Sequence, residues 1–128
     1  MPKPDRTCYF RNLAVAALLS LSLPSAALAH ARLVSSLPGQ NSAIAPAPTE
    51  LRLKFSEGVE LKFTKVTLTG PQMKVIATGP ARLAPGDDSL IVVPITGPLT
   101  DGKYTVDWQA VSSDGHRTSG AYVFELAK

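Results

Sequence analysis

Leu51-Arg52-Leu53-Lys54-Phe55-Ser56 alternates apolar and polar side chains without a break. A period of two puts Leu51, Leu53 and Phe55 on one face of an extended chain and Arg52, Lys54 and Ser56 on the other, as expected for a strand with one buried and one wet face. The same period recurs downstream. Tyr104, Val106 and Trp108 share a face opposite Thr105 and Asp107, and Tyr122, Phe124 and Leu126 share another. Large apolar side chains on strand faces supply burial, so Trp108 is assigned to the core.

Between these segments Phe63, Val66 and Leu68 predict a further strand, and the broken alternation after Phe63 predicts a bulge or a late start. Met73–Ala77 and Leu90–Val93 predict two more. Gly79-Pro80 and Pro85-Gly86 make residues 78–88 a turn region, and Gly97-Pro98 with Asp101-Gly102 bracket the next turn. Toward the N-terminus, Pro38-Gly39 and Pro46-Ala47-Pro48 exclude helix and predict a long ordered loop, Ser35 to Thr49, after a short first strand at Ala31–Val34. About seven short antiparallel strands and no amphipathic helix give an all-β domain in two layers, a β-sandwich, with a small β-barrel as the alternative.

The first 29 residues are expected to be removed. Lys3, Arg6 and Arg11 precede an apolar run from Leu13 to Leu23, and Ala27-Leu28-Ala29 supplies small residues at a signal-peptidase site. That run is far short of the ~20 residues needed to cross a bilayer, so no membrane insertion is expected after cleavage. The mature domain is then residues 30–128. Three of the thirteen Lys/Arg and one of the ten Asp/Glu leave with the leader, so ten basic side chains face nine acidic ones and the net charge falls from +3 to +1. No basic cluster remains to track phosphates, which argues against a nucleic-acid partner. Cys8 also lies in the leader, so the mature chain has neither a disulfide nor a thiolate nucleophile.

The mature chain carries two histidines, His30 at its start and His116 near its end. Composition alone reads the first as the residue that follows a cleavage site and the second as an exposed loop residue. Maturation offers a different chemistry, because cleavage gives His30 a free α-amine beside its imidazole, with reference pKa values of ~8 and ~6.5. Amine and proximal ring nitrogen close a six-membered chelate around a metal. His116 can add a third nitrogen and Asp114 an anionic oxygen, while Gly115 between them lets the loop bend. Such a mixed nitrogen and oxygen set suits Cu²⁺, with Zn²⁺ as a competitor. Asp114-Gly115-His116 is equally readable as a plain hairpin turn. Met73, the only methionine outside the leader, is read as a packing residue, leaving almost no soft donors for Cu⁺. Ser112, Ser113 and Ser119 lie near Asp114 and His116, but no nucleophile-elbow motif supports hydrolysis.

His30-Ala31-Arg32-Leu33, Ser36-Leu37-Pro38, Leu53-Lys54-Phe55-Ser56-Glu57, Gly102 to Trp108 and Val111-Ser112-Ser113-Asp114-Gly115-His116 through Ser119-Gly120 together resemble the CopC-like copper-resistance family. The resemblance implies an immunoglobulin-like Greek-key β-sandwich in the bacterial periplasm. It also implies copper binding for tolerance, sequestration or delivery to an inner-membrane copper transporter. The family's Cu²⁺ ligands fall here on the amine and ring of His30, on Asp114 and on His116. Some relatives add a methionine-rich Cu⁺ segment, from which this chain departs, so a single-site Cu²⁺ protein is expected. The expected role is a carrier or buffer without turnover. The alternatives are a histidine-brace copper oxidase, against which Asp114 and the short body count, and a β-sandwich interaction module without metal.

Overall fold

The computed structural model describes residues 30–127; the expected leader, its cleavage site and Cys8 lie outside the described residues. Among the described residues nine strands form two sheets. They are β1 (Leu33–Leu37), β2 (Ala43–Ile44), β3 (Glu50–Phe55), β4 (Lys65–Thr69), β5 (Val75–Ile76), β6 (Arg82–Ala84), β7 (Asp87–Pro94), β8 (Gly102–Val111) and β9 (Arg117–Leu126). One sheet runs β1-β3-β7-β6 and the other β2-β9-β8-β4-β5, so the chain crosses between layers after β1, β2, β3, β5 and β7. Both sheets are open, which makes this a sandwich and not a barrel.

Alternation produces the core directly. Leu51, Leu53 and Phe55 of β3 and Ile91 and Val93 of β7 meet Leu68 of β4, Val106 of β8 and Phe124 of β9, each at most 2 % exposed. Tyr104 is also wholly buried, stacked on Phe124 at 5.2 Å between ring centroids. Its hydroxyl donates to the Thr100 carbonyl (2.6 Å) and accepts from the Thr100 N–H (2.9 Å), tying the entry of β8 to the preceding loop. Trp108 packs edge-on against Phe55 at 5.2 Å and sits opposite Gly120, joining the core from a half-buried position.

Several expectations require correction. The first strand starts at Leu33, beyond Ala31, and runs to Leu37, because pairing with β3 continues past a bulge at Val34 to Leu37↔Arg52. The expected loop at residues 35–49 contains β2, which pairs parallel with β9 through Ala43↔Glu125 and Ile44↔Leu126, so the strands are not all antiparallel. The expected turn region at residues 78–88 contains β6, a strand that Pro80 and Pro85 permit because it occupies the sheet edge. Phe63 belongs to a 3-10 turn (Leu61–Phe63), and the strand starts late, at Lys65. Met73 is 84 % exposed at a φ of 60° in a turn before β5, so it lies outside the core and the strand expected from residue 73 starts at Val75.

Candidate metal centre

The β8–β9 hairpin closes through Ser112-Ser113-Asp114-Gly115-His116. The Gly115 N–H donates to the Ser112 carbonyl (2.8 Å), and the Ser112 N–H donates to the His116 carbonyl (2.9 Å). Gly115 takes a φ of 88°, a conformation that costs glycine little. The hairpin is fastened to the end of β3 by the Ser113 N–H and hydroxyl, both donating to the Gly58 carbonyl at 3.2 Å.

A second segment reaches the same end of the sandwich. The Ser56 hydroxyl accepts from the Arg32 N–H (2.9 Å) and donates to the His30 carbonyl (3.3 Å), while the Thr118 hydroxyl donates to the Ala31 carbonyl (2.7 Å). Ala31 is wholly buried. Residues 30–32 are therefore held between the end of β3 and the start of β9, and His30 is delivered to the hairpin. The rings of His30 and His116 meet edge to face, with centroids 4.9 Å apart and planes at 88°.

Asp114 is bound into the hairpin from both sides. Its Oδ1 accepts from the Ser112 hydroxyl and from the His116 N–H (3.2 Å), and its Oδ2 lies 3.0 Å from His116 Nδ1. The Ser112 hydroxyl, followed by the His116 imidazole and N–H, holds its pKa down at about 2, so the carboxylate is charged at any physiological pH. With Nδ1 facing Asp114, Nε2 is the His116 nitrogen left for a metal. His30 Nδ1 is buried with no hydrogen-bond partner. It is the ring nitrogen that a chelate with the terminal amine would use.

The three residues singled out in the sequence thus lie at one end of the fold, contributed by two segments far apart in the chain. Among the described residues no three His, Cys, Asp or Glu side chains stand as a ready-made cage. The physical reason is visible in the donors. The amine of His30 is not a side chain, and Asp114 is spent on Ser112 and His116.

Two residues at this end have roles that sequence reasoning missed. Glu57 lies between Ser56, which holds His30, and Gly58, which holds the hairpin, and its Oε1 is buried without a partner. That leaves a carboxylate oxygen without a partner on the segment that holds both His30 and the hairpin. Ser112 was visible only as one of several serines. Its hydroxyl meets the Asp114 carboxylate and not an imidazole.

The family model described as "CopC domain" matches residues 33–127. Protein YobA of Escherichia coli (strain K12) is 41 % identical over 111 residues, covering 86 % of this chain and 90 % of that protein. Copper resistance protein C of Escherichia coli is 41 % identical over 115 residues, covering 84 % and 90 %. Among solved structures, that of PcoC, described as a methionine-rich copper resistance protein from Escherichia coli, superposes with a TM-score of 0.69 at 38 % identity. It covers 77 % of this chain and 100 % of that one. With a family match across almost the whole described domain, and relatives this similar over nearly their full length, the chain belongs to the CopC family.

Proposed function

We propose that the exported chain, cleaved before His30, carries one Cu²⁺ ion as cargo in the periplasm. Copper binding in the service of resistance follows from family membership. The finer reading assigns the ligands to the amine and Nδ1 of His30, to Nε2 of His116 and to a carboxylate oxygen of Asp114. The observation that carries it is the buried, unpartnered Nδ1 of His30 next to the His116 ring, 4.9 Å between centroids. A buried polar atom without a partner is costly, and a metal bond relieves that cost.

Three nitrogens and one oxygen in a tetragonal arrangement match Cu²⁺ preferences. The sequence offers no second, softer site, since Met73 is the only methionine after residue 29. PcoC is described as methionine-rich, and this chain contrasts with it there. A carrier of this kind buffers copper or hands it to an inner-membrane transporter, and neither task needs turnover.

The test is a competitive Cu²⁺ titration with electron paramagnetic resonance on the protein recovered from the periplasm. Wild type should take up one ion with imidazole couplings. His30→Ala and His116→Ala should each lose part of those couplings and bind at least tenfold more weakly. Unchanged spectra in both variants would exclude the ligand set.

A further inference from the structure

Ser112 is wholly buried and polar in a domain whose other buried side chains are almost all apolar. A hydroxyl in such a place is tolerated only with its hydrogen bonds made. Its backbone is fixed in three ways. The N–H donates to the His116 carbonyl, the carbonyl accepts from the Gly115 N–H, and a bridge to Val59 joins it to the segment that follows β3. The hydroxyl has two acceptors in range, the His116 carbonyl at 3.2 Å and Oδ1 of Asp114. One hydroxyl hydrogen serves one of them, and the charged carboxylate oxygen, the stronger acceptor, takes it.

We propose that Ser112 is a positioning residue of the copper site: its buried hydroxyl fixes Oδ1 of Asp114, so that Oδ2 holds Nδ1 of His116 and leaves Nε2 of that ring presented to the metal. The inference rests on the copper reading above. The Asp114 side chain is 41 % exposed, so nothing else but the His116 N–H at 3.2 Å restrains that oxygen. Without the hydroxyl the carboxylate would turn about its side-chain bonds toward solvent. It would then no longer hold His116 with Nε2 presented, and the cost of ordering it would fall on copper binding. Ser113 is the natural contrast, because its hydroxyl goes to the Gly58 carbonyl and never touches Asp114.

The experiment compares Ser112→Ala, Ser112→Thr, Ser113→Ala, Asp114→Ala and Ser112→Ala/Asp114→Ala, each expressed as the full chain and recovered from the periplasm. Circular dichroism, Cu²⁺ affinity by competition and the Cu²⁺ paramagnetic resonance spectrum are read on each. Ser112→Ala should remain folded, bind copper about tenfold more weakly, equivalent to about 1.4 kcal/mol, and show altered copper hyperfine coupling. Ser112→Thr should restore both readouts, and Ser113→Ala should match wild type. In the Asp114→Ala background, Ser112→Ala should have no further effect, because the two act as one unit.

Wild-type affinity and spectrum in Ser112→Ala, or an equal loss with and without Asp114, would overturn the inference. Weakened binding in Asp114→Ala alongside unchanged binding in Ser112→Ala would sink this inference and leave the ligand reading standing. Unchanged binding in Asp114→Ala would sink both. Should Ser112→Ala fail to fold, the copper-free wild type still decides. Its Ser112 hydroxyl proton should exchange slowly and show a nuclear Overhauser effect to the Asp114 β-protons, and a rapidly exchanging proton would reject the contact.

Discussion

His30 shows how much one residue's chemistry depends on its position in the chain. As an internal residue it offers a metal only its ring, and as residue one it would offer an α-amine as well. An extra alanine inserted before His30 keeps every side chain and turns the amine into an amide. Copper affinity should drop by at least tenfold while circular dichroism stays unchanged, and equal affinity in two folded proteins would show that the terminus is no ligand. His30, Asp114 and His116 could be singled out as candidates in the sequence because donor type and the Asp-Gly-His spacing are local properties. The orphaned oxygen of Glu57 and the hydroxyl contact of Ser112 were not. Both depend on which segments pack beside them, and the immediate neighbours in sequence say nothing of that. The same limit explains Met73, whose apolar side chain suggested packing while a φ of 60° turns it into solvent.

Long alternating strands and short edge strands differ in how they are specified. β3, β8 and β9 carry their register in their own period of two, and alternation marks most of their buried positions; in β8 Trp108 is only half-buried and Val111 is buried out of phase. β2 has only Ala43 and Ile44 and exists because β9 offers it a free edge, so no local pattern announces it. Close packing between strands also uses glycine where alternation expects bulk. Gly120 faces Trp108 across the β8–β9 ladder, and a Cβ there would stand 2.7 Å from Cζ2 of the indole. Gly120→Ala must therefore push the ring away from Phe55 or bend the ladder, an overpacking cost of ~1–3 kcal/mol. The denaturation midpoint should fall and the near-ultraviolet dichroism of Trp108 should change. An unaltered midpoint and spectrum would mean that the indole is not seated against this strand.

At the scale of the molecule, the site is a junction between the two layers. His30 leads into β1 of one sheet, while Asp114 and His116 belong to the hairpin that joins β8 and β9 of the other. Without metal, the described contacts from residues 30–32 to the rest of the chain include hydrogen bonds through Ser56 and Thr118 and the burial of Ala31. No disulfide can help, since the only cysteine is Cys8. A copper ion bound by His30 and His116 would fasten the start of the chain to the far sheet, and an ion that binds only the folded state stabilises it by mass action. At free Cu²⁺ one hundred times the dissociation constant, that linkage amounts to about 2.7 kcal/mol. For a domain of this size, each kcal/mol raises the melting temperature by ~4–8 °C, so a rise of roughly 10–20 °C is expected. Calorimetry of the periplasmic protein with and without Cu²⁺ reads this directly, and a chelator should return the melting temperature to its starting value. The rise should be much smaller in His30→Ala and in the alanine insertion, whose folds are intact but whose first segment can no longer be held as tightly by the metal. A wild-type melting temperature indifferent to saturating Cu²⁺ would contradict selective binding to the folded state. A full rise in both altered proteins would place the ion elsewhere on the sandwich, away from the seam between the sheets.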